Sequence, residues 1–181
     1  LAAFVITAAS AVALLRVLLE VAVVAPRHWV AVAPPLLMTL AVLSLAAVVL
    51  FFRHRRAGAV AEEPENPAQF KAALVFAVLY ALILFAVAWV KDAFGDAGLY
   101  VVSVLSGLTD VDAITLSLTN TMNAGSLEAS SGWRFILVAA LANLVFKAVL
   151  AGVIGRWPLL KAILPAFALA LLTGFLLLFF W

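Results

Sequence analysis

The sequence predicts an all-α fold: a polytopic transmembrane bundle of about six helices, forming one membrane domain over residues 1–181. Three observations predict it. The chain is 68% hydrophobic and 11% charged, with a mean hydropathy of +1.26, whereas soluble domains are about half apolar and about a quarter charged. Most residues lie in apolar runs as long as the roughly 20 residues that cross a bilayer. The first two of these runs also resemble the last two.

The apolar runs divide the chain into six predicted membrane segments. They cover residues 1–25, 29–52, 70–90, 97–122, 133–154 and 158–181. The stretches "APRHW" and "GRWP" are short enough to join neighbouring antiparallel helices tightly. The only long connection, "RHRRAGAVAEEPENPAQ" at residues 53–69, is charged and rich in proline and small residues, which is typical of a solvated loop.

Composition also limits the partners and cofactors of the chain. It has no cysteine, which excludes disulfides and thiolate metal sites. A formal net charge of +2 is too small to indicate nucleic-acid binding, so the expected partner is the lipid bilayer and no cofactor is expected. The chain starts with an apolar run and no charged segment precedes it, so we interpret it as the C-terminal part of a longer polypeptide without a signal peptide.

Basic residues beside the long loop indicate its side of the membrane, because cytoplasmic loops carry an excess of lysine and arginine. Four of them, Arg53, Arg55, Arg56 and Lys71, lie at or near residues 53–69. We therefore predict that this loop is cytoplasmic. Six crossings would then put both ends of the chain on the cytoplasmic side. The basic residues left for the opposite side are Arg27, Lys91, Arg156 and Lys161.

An internal repeat relates residues 1–50 to residues 132–181. An alignment without gaps, in which Leu1 lies over Gly132, places "FVITAASAVALLRVLL" over "FILVAALANLVFKAVL". The same alignment pairs Arg16 with Lys147 and Pro34 with Pro165. The repeats run parallel if the fourth segment crosses the membrane once, and they are inverted if that segment is re-entrant; transporters use both plans. The counterpart of the fourth segment should then precede Leu1.

Three charged residues lie deep inside apolar segments, about three helical turns from a predicted outer end: Arg16, Asp110 and Lys147. At about 1.5 Å per residue, each is roughly 14–18 Å deep, close to the middle of a core about 30 Å thick. Glu20 lies one turn from Arg16 on the same helix face. Intramembrane charges of this kind usually face a bundle interior or a cavity.

The fourth segment contains the polar motif "GLTDVDAITLS". In a continuous helix, Asp110 and Asp112 would lie on nearly opposite faces, which requires a central position in the bundle. Alternatively, the helix breaks at Gly107, with Thr109 as the N-cap of a second half-helix and Asp112 completing a capping box. Such broken helices form binding sites in transporters. In the structural alternative, Asp112 only caps the helix.

We therefore hypothesise a transporter or channel for a small cation or protons, with a polar site at mid-membrane. The candidate binding residues are Asp110, Asp112, Thr109, Ser106, Lys147, Asn143, Arg16 and Glu20. The alternative is a regulatory or scaffolding membrane subunit whose charges only fix helix packing. Arg16 would then pair with Glu20, Lys147 with an aspartate, and Asn143 would form an interhelical hydrogen bond.

Enzymatic activity is not expected. The stretch "GLTD" has some likeness to the Gly-x-Gly-Asp signature of intramembrane aspartyl proteases, but threonine replaces the second glycine. No second aspartate lies at mid-membrane on another predicted segment, and no Ser/His pair or histidine cluster lies at that depth. We expect a homo-oligomer, or further helices upstream in the same polypeptide, to bury the polar fourth segment.

Three stretches resemble a known family: "GDAGLYVVSVLSGLTDVDAITLSL", "AALANLVFKAVLAGVIG" and "LPAFALALLTG". They are similar to an integral-membrane domain commonly found C-terminal to MgtC/SapB-type membrane domains. The resemblance covers nearly the whole chain and is strongest from Gly95 to Gly174. It implies a multi-pass protein of a bacterial or archaeal cytoplasmic membrane with a transport or magnesium-related role, and it implies no catalytic residue.

Overall fold

The computed structural model describes residues 1–56, 78 and 98–181. These residues form six α-helices and one 3₁₀ turn, which confirms the all-α prediction. The helices are α1 (Ala2–Val24), α2 (Trp29–Arg56), α3 (Leu99–Thr109), α4 (Val111–Asn123), α5 (Ala129–Ile154) and α6 (Arg156–Phe180), and the turn is Pro26–His28. The predicted segment 70–90 and most of the predicted loop 53–69 lie outside the described residues.

Four of these helices are long and apolar enough to cross a membrane. They cover Ala2–Val24, Pro26–Arg53, Ala129–Ile154 and Trp157–Phe180. They correspond to the first, second, fifth and sixth predicted segments, so a multi-pass membrane protein is confirmed at this level. The turn at Pro26 joins α1 to α2, and Gly155 alone separates α5 from α6, so each pair is a tight antiparallel hairpin of long helices.

The fourth predicted segment is not one crossing helix. It is divided into α3, with 11 residues, and α4, with 13 residues. Near the start of α3, the Tyr100 ring lies 4.5 Å from the Phe135 ring, centroid to centroid. At the end of α3, the Asn143 side chain binds the Gly107 carbonyl. Because earlier residues of α3 contact earlier residues of α5, and later residues contact later ones, α3 runs parallel to α5.

The second half-helix runs back. Near the end of α4, the Met122 side chain contacts Gly132, close to the start of α5. The α3–α4 pair, which we call the re-entrant hairpin, therefore enters and leaves on the same side of the bundle. Its two arms are about 16 and 20 Å long at 1.5 Å per residue. Each arm spans about half of a hydrocarbon core roughly 30 Å thick.

The two pairs of long helices have opposite orientations. The α4 helix runs parallel to α1, because Asp112 contacts Arg16 and Asn123 contacts Val24. It runs antiparallel to α5, so α1 and α5 are antiparallel to each other. The re-entrant alternative is thus the one that the structure adopts, and the α1–α2 and α5–α6 repeats are inverted, as this alternative predicted.

The inversion changes the predicted sidedness. The basic end is where α1 begins, α2 ends, α5 ends and α6 begins; the ring contact between Phe4 and Phe51, at 5.4 Å, joins the first two. The hairpin end is the opposite one, where α6 also ends. The two chain termini therefore lie at opposite ends of the bundle, and the prediction that they share a side is wrong, because it counted the re-entrant hairpin as a crossing.

The same inversion gathers the basic residues. Arg156 and Lys161, predicted for the side opposite the long loop, instead lie at the basic end with the end of α2. Among the described residues, the basic end thus has five basic positions, Arg53, Arg55, Arg56, Arg156 and Lys161, and the hairpin end has two, Arg27 and Arg134.

The core of the described bundle lies between the long helices. Leu36 of α2, Phe167 of α6 and Ile136 of α5 are almost completely buried. Many residues on the outer faces of the same helices are exposed and apolar, including Val30, Phe175 and Phe180. This distribution is what a lipid-facing bundle requires, because the bilayer is as apolar as the core.

Candidate functional site

The re-entrant hairpin turns at Asp110. This residue has an extended backbone, with φ −151° and ψ 109°, and it is the N-cap of α4. Its Oδ1 accepts a hydrogen bond from the amide of Asp112 at 2.9 Å, which satisfies one of the unpaired N–H groups at the helix start. Aspartate is a preferred N-cap residue, so the local sequence favours a new helix beginning here.

The break was predicted, but its position was not. The predicted N-cap, Thr109, is the last residue of α3, and its hydroxyl donates to the Ser106 carbonyl at 2.9 Å. The Asp110 amide donates to the same carbonyl at 2.7 Å and closes the last turn of α3. The prediction of a break at Gly107 with Thr109 as cap is therefore wrong, because α3 continues through Gly107 and the chain turns only at Asp110.

Gly107 instead lets the hairpin approach α5 closely. Its α-carbon lies directly against the backbone of Ala139, so a β-carbon at this position would collide with Ala139 backbone atoms. Next to this contact, the Asn143 amide donates to the Gly107 carbonyl at 3.0 Å. The interhelical hydrogen bond predicted for Asn143 as the structural alternative is thus present.

Asp112 lies in the first turn of α4 and faces α1. Its carboxylate forms an ion pair with the Arg16 guanidinium. The Asp112 side chain is 23% exposed and the Arg16 side chain is 63% exposed. The sequence placed both charges at mid-membrane but paired Arg16 with Glu20 in its structural alternative. The structure gives Arg16 a partner on the hairpin instead.

Glu20 and Lys147 complete the group. The charges of Arg16, Asp110 and Asp112 all act on Glu20, and one buried Glu20 carboxylate oxygen has no hydrogen-bond partner. Lys147 of α5 lies within the electrostatic range of Asp112. We call these five residues, Arg16, Glu20, Asp110, Asp112 and Lys147, the tip cluster. Asp112 interacts with all the other members.

The depth of Lys147 is counted from the opposite end of the bundle to that of Arg16. Its predicted depth was counted from Arg156 as an outer end shared with α1, but Arg156 lies at the basic end, so the predicted side is wrong. Lys147 is still nine residues, about 14 Å, from this end, which is close to the middle of a core about 30 Å thick. The convergence of the charges near mid-membrane stays a prediction.

A small cavity adjoins the tip cluster between α1, α2, α5 and the start of α4. Its volume is about 20 Å³, which is roughly the room that one water molecule needs. Polar side chains in its wall come from Ser10, Thr39, Asn143 and Lys147, and Val111 closes it beside the tip. The cavity brings together Asn143 and Lys147 with two hydroxyls that sequence reasoning did not single out.

Three polar residues outside the predicted set therefore belong to the site or its support. Ser10 and Thr39 donate to carbonyls of their own helices, at 2.8 and 3.0 Å, which is how isolated hydroxyls are usually satisfied in apolar helices. Asn123 donates to the Val24 carbonyl at 2.8 Å and so links the ends of α4 and α1. Their polarity within apolar runs was the available signal.

Within residues 1–56 and 98–181, no three His, Cys, Asp or Glu side chains are grouped so that they could hold a metal ion. The tip cluster is thus a mixed ionic group, with carboxylates distributed between α1 and the hairpin and with Arg16 between them. Such a group can take up or release a proton, or exchange an ion pair for a bound cation, at mid-membrane depth.

Comparisons with known proteins place this chain in a family. A family model described as "Domain of unknown function (DUF4010)" matches residues 1–155. An uncharacterized protein of Aquifex aeolicus (strain VF5) is 34% identical over 116 residues, which are 62% of this chain and 50% of that protein. The aligned part of the chain thus spans half the length of this relative. No solved structure matches the chain. The association with MgtC/SapB-type domains stays a prediction.

Proposed function

Because the chain belongs to the DUF4010 family, whose function is unknown, we propose a function from the site itself: a transporter or channel for a small cation or protons. One observation carries the proposal. A re-entrant hairpin ends at mid-membrane and presents the exposed carboxylate of Asp110 beside the Arg16–Asp112 ion pair. Transporters commonly form their ion sites where broken helices meet near the middle of the bilayer.

The charge of the tip cluster supports a cationic substrate. Two basic residues face three carboxylates, which leaves one negative charge when all five groups are ionised. A net charge in a low-dielectric environment is costly and is relieved by a bound cation or a proton. Within the tip cluster, Asp110 and Glu20 are the carboxylates without a salt bridge, and we assign them the role of binding the substrate.

Arg16 and Lys147 act as counter-charges in this proposal. Arg16 holds Asp112 while the site is empty, and a cation that approaches the carboxylates competes with it. Lys147, at the side of the water-sized cavity, repels a second cation and favours release. Asn143, Ser106 and Thr109 maintain the shape of the tip through the hydrogen bonds described above, and these half-buried polar groups complete the polar surface around the substrate.

We also propose that the basic end is cytoplasmic. Five of the seven basic positions counted at the two ends of the described bundle lie there, and cytoplasmic ends carry the excess of lysine and arginine. The loop that starts at Arg53 would then be cytoplasmic, and the re-entrant hairpin would enter from the outer side of a bacterial or archaeal cytoplasmic membrane.

The second candidate function is a regulatory or scaffolding subunit without transport. The Arg16–Asp112 ion pair favours it, because an intramembrane salt bridge between two elements can serve only to fix their packing. The two candidate functions predict different effects when the charged residues are replaced by uncharged ones. A transport site loses flux while the fold persists, whereas a packing lock loses stability.

The test is cation and proton flux in proteoliposomes that contain the complete polypeptide. Asp110→Asn retains a residue that can cap α4 but removes the charge, whereas Asp110→Ala removes both and should cost about 1 kcal/mol of stability. We expect Asp110→Asn to melt like the wild type and to lose flux at least about tenfold, the factor that about 1.4 kcal/mol represents.

The matched control is Glu128→Gln, which neutralises an exposed carboxylate at the hairpin end, outside the tip cluster. This variant should retain wild-type flux. If the wild type carries neither cations nor protons, while Asp112→Asn melts early, the transport proposal is wrong and the scaffolding role replaces it.

A further inference from the structure

The inverted repeats share their core-facing positions. The alignment that places Leu1 over Gly132 pairs Val32 with Ile163 and Leu36 with Phe167, and each of these four residues is at most 1% exposed. In α1 and α5, the alignment fits the burial best when it is moved by one position. It then pairs Ala3 with Trp133, Thr7 with Leu137 and Leu14 with Leu144, all buried. The two halves therefore pack against each other through equivalent surfaces.

A second face of α5 is buried and has no buried equivalent on α1. This face is covered by the re-entrant hairpin, through Tyr100 on Phe135, Gly107 on Ala139 and Met122 on Gly132. In the alignment that pairs Ala3 with Trp133, the three α5 positions correspond to Val5, Ala9 and Ala2, and all three are exposed. Phe135 is 8% exposed, whereas Val5 is 53% exposed.

The bare face of α1 has the form that a helical hairpin needs. Ala2 and Ala9 occupy the positions where Gly132 and Ala139 receive the hairpin on α5. Small side chains allow close approach between helices in a membrane. Val5 and Val12 flank them and are more than half exposed. An apolar surface of this kind could simply face lipid. The equivalent surface of α5, however, is covered by the re-entrant hairpin, which indicates what kind of element covers this face of α1.

Lys147 adds a charge argument. It has no hydrogen bond or ion pair within the part of the chain that the structure describes. It lies close to mid-membrane on α5, at the depth that the tip of a hairpin inserted from the basic end would reach. A carboxylate at that tip would give Lys147 the kind of partner that Asp112 gives Arg16.

We propose that a second re-entrant hairpin, N-terminal to Leu1 in the same polypeptide, enters from the basic end and covers the Val5–Val12 face of α1. The order of elements supports this origin. In the second half, the hairpin ends at Asn123 and α5 begins at Ala129, so an equivalent hairpin would directly precede α1. The inference concerns packing and is independent of the proposed transport.

The test is site-specific photo-crosslinking in the complete polypeptide in its native membrane. A benzophenone amino acid replaces Val12, and the crosslinked peptides are identified by mass spectrometry. We expect a crosslink within one molecule to a peptide that precedes Leu1. Val5 is the independent second position should the Val12 variant fail to assemble. The control is Val149 of α5, which is 49% exposed and should crosslink to lipid only.

Each other outcome overturns the proposal. Crosslinks to residues 57–97 would make that part of the chain the cover, and crosslinked dimers would make it a second copy. Lipid adducts alone at Val5 and Val12, as at Val149, would show that the face is bare. A native polypeptide whose first residue, measured by intact mass, is Leu1 would exclude an upstream hairpin directly.

Discussion

The two arms of the re-entrant hairpin differ in composition and in what they contact. The α3 arm carries no charge and packs mainly on α5, with Gly107 against Ala139. The α4 arm is rich in hydroxyl, amide and carboxylate groups and packs equally on α1 and α5. One arm holds the hairpin in the bundle, and the other brings charge to mid-membrane. This division suggests that stability and ion chemistry can be perturbed separately.

The largest effect should come from α3, the arm that attaches the hairpin to α5. Gly107→Ala places a methyl group against the Ala139 backbone, which cannot move aside as a flexible side chain can. We expect a loss of about 3 kcal/mol, the upper part of the usual range for overpacking, measured by thermal unfolding in detergent.

The matched control for this change is Gly152→Ala, because the added methyl group would meet only the end of the Leu160 side chain, at 3.2 Å. This variant should be as stable as the wild type or slightly more stable, since alanine favours helix over glycine. Equal stability of the two variants would show that the attachment of α3 to α5 does not depend on the close contact at Gly107.

A smaller effect is expected where α4, the arm that carries the charged residues, meets α1. Arg16→Met and Asp112→Asn each remove one partner of the ion pair, and the double variant removes both. We expect a coupling free energy of about 1–3 kcal/mol in a double-mutant cycle, since the second removal no longer leaves a charge without its partner.

The control cycle uses Arg27→Met and Glu128→Gln. Both residues lie at the hairpin end and are exposed, and the structure shows no ion pair between them in its described part. Their effects should add. A coupling as large as that of Arg16 and Asp112 would mean that general surface charge, and not the pair, produces the signal.

The smallest effect should come from the hydrogen bond between Asn143, which lines the cavity beside the tip cluster, and Gly107, where α3 attaches to α5. Asn143→Leu keeps a branched side chain with the same number of heavy atoms but removes the hydrogen bond to the Gly107 carbonyl. Interhelical hydrogen bonds of this kind contribute about 1 kcal/mol in membranes, so a modest drop in melting temperature is expected. Asn120→Leu, at an exposed position in α4, should leave the melting temperature unchanged and so serves as the comparison.

Apolar length was enough to predict the four long helices, because burial in lipid requires about 20 apolar residues. It could not distinguish a crossing from a return. "VVSVLSGLTDVDAITLSLTN" is long enough for one crossing, and its path depends on whether Asp110 caps a new helix or continues the old one. That choice depends on the close contact between Gly107 and Ala139, which is a tertiary interaction.

The sequence predicted which residues belong to the candidate site better than it predicted which of them form ion pairs. Arg16, Asp110 and Asp112 were recognisable because charge inside an apolar run is rare. The partner of Arg16 could not be read from the sequence, since Glu20 is one turn away and Asp112 is 96 residues away. The sidedness of Lys147 failed for the same reason as the helix count: the direction of α5 follows from the re-entrant path.

The Asn123–Val24 hydrogen bond and the Arg16–Asp112 ion pair together fasten α4 to α1 at two heights. Two attachment points along parallel helices resist the sliding of one against the other. The α4 arm also packs on α5, to which α3 is attached through the contact of Gly107 with Ala139. The turn at Asp110 therefore lies where elements fastened to α1 and to α5 meet, and any change in the angle between the two arms of the hairpin changes the backbone of that residue.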